Sequence, residues 1–239
     1  MNANTGRLYL IPSNLTTPFE PTAILPAAAL AVIRELKEFV VEDAKTARAF
    51  LKACGTDAPL QSIVMAALNE HTRPDEVEAL LAPLLAGRDL GLLSDAGAPG
   101  VADPGAALVA AAHRHNLEVI PLVGPSAILL ALMGAGLNGQ RFCFQGYLPA
   151  ERNSRVAALK EIERASAQSD MTQVFIETPY RNAAMFADVL ATCKPTTRLC
   201  IAADLTSGSQ SLRTRSIEDW KKLPAPDLNK RPAVFLLQA

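Results

Sequence analysis

Glu42, His71 and Asp95 each stand at or just past the end of a short apolar run, and carboxylates and imidazoles are the groups that take and give protons in catalysis. If the runs Phe39–Glu42, Ile63–Ala67 and Leu90–Ser94 are parallel strands, their carboxyl ends share one rim of a sheet. The three side chains then gather there. Polar groups collected over an apolar cleft mark a ligand site, while each of the three alone also reads as a surface or structural residue.

The loop behind Asp95 says more. In SDAGAPGVADPG, an apolar strand runs into Gly97, Gly100 and Gly105, interleaved with Pro99 and Pro104. Asp103 is expected to cap a helix whose first residue is Pro104. Glycines let backbone approach a ligand, and a helix N-terminus offers free N–H groups to a carboxylate or phosphate. A bulky residue at Gly97 is therefore expected to harm binding more than folding, and removal of the Asp103 carboxylate the reverse. One βα unit later the pattern returns: LEVIPLV leads into GPSAILLALMGAG, with Gly124 and Pro125 opening a helix and Ser126 in its first turn. Two such junctions point to one shared site.

Common nucleotide loops are missing. The first apolar run ends in IPSNL rather than a glycine-rich turn, and no G-x-x-x-x-G-K-[ST] exists, which disfavours dinucleotide-fingerprint and P-loop chemistry.

The elements that must position these residues alternate. Strands are expected at Arg7–Ile11, Phe39–Glu42, Ile63–Ala67, Leu90–Ser94, Leu117–Val123, Phe142–Tyr147, Gln173–Thr178, Arg198–Asp204 and Ala233–Gln238. Most are apolar on both faces, as in sheets covered on two sides. Helices fall between them, among them Pro74–Ala86, Pro104–His115, Pro125–Gly134 and Pro179–Cys193, the last begun by a Thr178 cap. The fold class is α/β, with a parallel wound sheet in a domain spanning 1–121 and a mixed sheet in a domain spanning 122–239.

Composition narrows the partners. The chain has 239 residues, 49% of them hydrophobic, and a net charge of −1, so no bulk attraction to nucleic acid is indicated. Arg152, Arg155, Lys160 and Arg164 read as a solvated helix face. Cys54, Cys143, Cys193 and Cys200 are scattered and fit reduced thiols, and the histidines assemble neither a zinc site nor a Ser-His-Asp triad, so no metal is expected. No signal peptide is read at the N-terminus, and the longest apolar stretch is broken by proline and glycine. A cytoplasmic protein without a membrane span is expected.

SDAGAPGVADPG, PLVGPSAILLALMGAGL and RFCFQGYLP resemble the signature blocks of the tetrapyrrole methylase superfamily. VEDAKTARAFL and NEH are similar to further blocks of its ribosomal RNA small-subunit methyltransferase I branch. The resemblance spans residues 6 to 205. It implies two α/β domains with S-adenosylmethionine in the cleft between them, and a homodimer. By position it implies cofactor contacts from Asp95, Gly97 and Ala98, from Ser126 and Ala127, and from backbone at Ile176, Glu177, Ala203 and Leu205. Glu42, His71 or Lys45 would then serve as a base for the methyl acceptor. Ribosomal RNA is the acceptor the branch implies, with Arg152, Arg155, Arg181, Arg213, Arg215, Lys221 and Lys222 as phosphate contacts. The branch opens with T-P-I-G-N-L where this chain has IPSNL. Two alternatives stay open: methylation of a small, tetrapyrrole-like molecule and, motivated by the missing glycine, cofactor binding without catalysis.

Overall fold

The computed structural model describes residues 5–239, in two compact units that divide after Ser126. The first unit holds β1 (Arg7–Ile11), α1 (Pro21–Ile24), α2 (Ala27–Glu35), β2 (Glu38–Val41), α3 (Ala44–Cys54), β3 (Val64–Ala67), α4 (Pro74–Ala79), α5 (Ala82–Leu85), β4 (Leu90–Leu93), α6 (Gly105–Arg114) and β5 (Glu118–Pro121). All five strands are parallel, in the order β3-β2-β4-β1-β5. Each face of the sheet packs its own core. Ile11, Phe39, Val41 and Leu93 meet α2 and α3 residues such as Ile33 and Phe50, while Leu8, Val40, Leu90 and Leu92 meet Leu81, Leu84 and Leu108. Two-sided burial is why these strands read as continuous apolar runs. Gly91 has its reason here: a Cβ would lie 2.6 Å from the Phe39 ring of the neighbouring strand.

The second unit holds α7 (Ala127–Ala135), β6 (Phe142–Tyr147), α8 (Arg152–Ser169), β7 (Thr172–Ile176), α9 (Asn182–Thr192), β8 (Arg198–Ala203), β9 (Ser211–Ser216), α10 (Ile217–Lys221) and β10 (Ala233–Gln238). Its sheet, β6-β7-β10-β8-β9, is mixed: β6 and β7 are parallel and the other pairs antiparallel. Phe175, Phe235, Leu199, Ile201 and Trp220 centre its core.

Several expectations shift. The division falls five residues beyond the 121/122 boundary read from sequence, because Leu122 N–H donates to the Leu10 carbonyl and Gly124 lies against Pro12. The helix expected over 74–86 breaks into α4 and α5, since Pro83 has no N–H for the Ala79 carbonyl. Strand β9, SLRTRS, was missed because its polar residues hide an edge strand that pairs on one side only. Arg155 is no solvated residue: it is buried on Asp188 of α9, with Nε and Nη2 at 2.9 and 2.6 Å, and its Nη1 reaches the Ala150 carbonyl. Among the described residues no helix is long and apolar enough to cross a membrane.

Candidate functional site

The parallel topology sends the carboxyl ends of β1, β2, β4 and β5 to one rim of the first unit. There the loops after β1 and β4 close on each other. Ser13 N–H donates to the Gly97 carbonyl at 2.9 Å and Gly97 N–H returns to the Ser13 carbonyl at 3.3 Å. Ser13 Oγ donates to the Ser94 carbonyl and Ser94 Oγ to the Gly97 carbonyl. The loop that lacks a glycine is therefore the backing of the loop that has three. Gly97 has φ +77°, a region that favours glycine, and a Cβ there would sit 3.2 Å from Leu15 Cδ2. It is buried rather than on an exposed loop, which revises the expectation that substitution would spare folding.

Asp103 also does more than expected. Helix α6 starts at Gly105, not Pro104. The Asp103 carboxylate accepts from Gly105 N–H and from Gly100 N–H, both at 2.7 Å. It caps the helix and folds the glycine loop at once, so its removal disturbs both. The second junction differs similarly: α7 begins at Ala127, two residues after Pro125. Ser126 closes the first unit and Ala127 opens the second.

Glu42 and Asp95 lie on adjacent strand ends, and Asp95 N–H donates to Glu42 Oε2 at 3.3 Å. Both carboxyls are raised from their ordinary values. For Glu42 the causes are burial and then repulsion from Asp95, Asp103 and Glu70, opposed by the hydrogen bond from Asp95 N–H. For Asp95 they are burial and then Asp43 and Asp103. His71 follows β3, an edge strand, where its side chain is 85% exposed and its ion-pair partner is Glu70. The structure brings Glu42 and Asp95 together and leaves His71 in solvent. Lys45 is exposed on the first turn of α3.

The second unit forms its own rim, where β7 and β8 end and β9 and β10 begin. Here lie Ile176, Glu177, Ala203 and Leu205. Helix α9 starts at Asn182 with Arg181 as cap residue, not at Thr178-Pro179. Glu177 is buried; its Oε1 accepts from Thr178 N–H and from Arg181 Nη2, at 2.6 and 2.7 Å. Glu177 Oε2 and Asn182 Oδ1 are buried acceptors with no partner. Sequence reasoning gave Asn182 no role; an asparagine at a helix start was the only signal for it.

A family model for tetrapyrrole (corrin/porphyrin) methylases matches residues 22–220. The chain belongs to the tetrapyrrole methylase family. Within that family it is 32% identical, over 97% of its length and 77% of the relative's, to a ribosomal RNA small subunit methyltransferase I of Escherichia coli O157:H7. The Pseudomonas aeruginosa protein of that name is 30% identical over 95% of this chain and 76% of its own. The methylase fold is equally evident in solved structures. The methyltransferase CobJ matches with a TM-score of 0.62 at 19% identity, covering 99% of this chain and 94% of its own. A uroporphyrin-III C-methyltransferase from Thermus thermophilus, complexed with S-adenosylhomocysteine, matches with a TM-score of 0.57 at 18% identity, covering 98% of this chain and 97% of its own. As a member of the tetrapyrrole methylases, this chain is an S-adenosylmethionine-dependent methyltransferase.

Proposed function

We propose that this methyltransferase acts on ribosomal RNA in the cytoplasm, as a homodimer, with Glu42 as the base. The observation that carries the assignment of the base is the Glu42–Asp95 pair: two neighbouring carboxylates with raised pKa at the mouth of the glycine loop. The acceptor class follows the names of the relatives at 30–32% identity.

The residues present fit the methyl donor. S-adenosylmethionine brings an ammonium and an exocyclic amine, both donors, and Glu177 Oε2 and Asn182 Oδ1 are buried acceptors without partners. It also needs close backbone approach, which Gly97 supplies with its left-handed φ and absent side chain. Asp95, Gly97 and Ala98, then Ser126 and Ala127, and backbone at Ile176, Glu177, Ala203 and Leu205 would hold it. When bound, it supplies an electrophilic methyl group for in-line displacement. Glu42 accepts the proton that the nucleophilic hydroxyl or amine gives up. Its raised pKa makes it a stronger base than an ordinary carboxylate. The Asp95 N–H orients the carboxylate for that task.

On the second unit, Arg213 and Lys221 are exposed and take part in none of the ion pairs among the described residues, so they are the better phosphate contacts. Arg152, Arg155, Arg181 and Lys222 are engaged by Asp188, Glu177, Glu218 and Asp219. Arg215 lies over the Trp220 ring.

The test compares methylation maps of ribosomal RNA from cells with and without the gene. One modification missing from the small-subunit RNA, restored by the wild-type gene but not by Glu42→Gln, is the expected result. An unchanged map removes ribosomal RNA as acceptor; restoration by Glu42→Gln removes the base.

A further inference from the structure

The turn after β8 is held in a conformation its residues disfavour. Asp204 has φ +50° and Thr206 φ +73°, so two non-glycine residues, one of them β-branched, adopt left-handed backbone within three positions. The loop has a glycine, Gly208, but it is not where the strain lies. Leu205, between the two, is buried. Such strain persists only where surrounding contacts over-determine it, and it collects at ligand sites.

Ser207, Ser209 and Gln210 brace the turn from within, and one side chain, Arg231, ties it to a distant loop. Arg231 Nε donates to Asp204 Oδ2 at 2.7 Å, its Nη2 to the Ser209 carbonyl at 2.8 Å, and its Nη1 to the Asp227 carbonyl at 2.9 Å. Asp204 Oδ2 also accepts from Ser209 Oγ, and Gln210 Oε1 from Thr206 N–H. The Arg231 carbonyl in turn accepts from Asn182 Nδ2 at 2.7 Å, which ties the clamp to the residue whose Oδ1 has no partner. One guanidinium thus joins the turn, the 227–231 loop and, through its own backbone, the start of α9. Strand pairing does not need it: Asp204 N–H bonds to the Pro232 carbonyl and β8 pairs with β10 from Ala203 to Arg198.

We propose that Arg231 is a positioning residue for the methyl donor, locking the strained Asp204–Thr206 turn so that its backbone meets the ligand preformed. The proposal rests on the reading that backbone at Ala203 and Leu205 contacts S-adenosylmethionine. Lysine cannot replace the fork, since it lacks the three-way planar donor set. Loss of the fork lets the turn relax, and each binding event must then restore it.

The test uses the full chain, calorimetric binding of S-adenosylhomocysteine and the melting temperature of the free protein. Arg231→Ala and Arg231→Lys should each weaken binding by about tenfold or more, while melting within a few degrees of wild type. Thr206→Gly, placed in the Arg231→Ala background, should recover part of that affinity, because glycine adopts the left-handed conformation without a clamp. A merely structural role would give no such rescue. The proposal is overturned if Arg231→Ala binds like wild type, if melting falls in step with affinity, or if Thr206→Gly restores nothing. If wild type itself binds no S-adenosylhomocysteine, the donor reading falls, and this proposal with it.

Discussion

The two units hold their perturbed carboxylates in opposite ways. In the first, Glu42 and Asp95 face each other across adjacent strand ends, and no cation pairs with either among the described residues. In the second, Asp188 is buried on Arg155 and Arg152 and Glu177 on Arg181, while the half-buried Asp204 pairs with Arg231. Burial alone would raise the Asp188 carboxyl, but the hydrogen bonds from Arg155 and Arg152 outweigh it and leave it lowered. Those acids of the second unit are each paired with a guanidinium group. Glu42 and Asp95 of the first have no such partner among the described residues and are raised.

The difference has a sign in pH. A carboxyl raised on folding, as Glu42 and Asp95 are, contributes stability that is present below the unfolded value and lost as pH rises through the folded one. Asp188, lowered on folding, contributes stability that is present above the unfolded value and lost as pH falls through its folded one. Mild acid therefore relieves the first pair, and stronger acid breaks the second unit's clamp.

The largest effect is expected where a paired acid loses its partner. Arg155→Ala leaves Asp188 buried with only the exposed Arg152, and should cost about 3 kcal/mol in urea unfolding. A cost below about 1 kcal/mol would mean the pair is no more than a surface bridge, and the contrast between the units would dissolve. Next is Gly97→Val, which sets a β-branched residue at φ +77° and drives a side chain into Leu15. It should lower stability by about 1–2 kcal/mol and weaken S-adenosylhomocysteine binding by about tenfold or more, equivalent to about 1.4 kcal/mol. Normal calorimetric affinity would take the glycine loop out of the donor site. The smallest effect has the opposite direction. Glu42→Gln removes a repelling charge and should stabilise the protein slightly at neutral pH, by less than about 1 kcal/mol, the gain fading as pH falls through the carboxylate range. Equal stability of the two proteins at pH 7 would show that Glu42 carries no strain for function.

Legibility from sequence followed burial. The first sheet could be read because its inner strands β1, β2 and β4 are covered on both faces and so form unbroken apolar runs; Phe39, Leu90 and Leu92 announce themselves. Strand β9 could not, since its residues are polar or half-buried at an edge. The Asp95 loop was legible because glycine, proline and aspartate each restrict backbone in a known way. Arg231 was not, because an arginine in a proline-bearing loop has no local signature and its partners lie up to 49 residues away in sequence. Arg155 was misread for the same reason: helical position says which residues share a face, not which acid waits on the neighbouring helix.

The strand order β3-β2-β4-β1-β5 has one more consequence, in how the first unit opens. Strands β4 and β1 are each paired on both sides, whereas β3 is an edge. Amide protons of the central strands are released only when the whole sheet comes apart, while an edge strand frays alone at lower free energy. Asp95 and Ser13 hang from strands paired on both sides and His71 from an edge strand. The glycine loop is thereby anchored in the part of the sheet expected to open last.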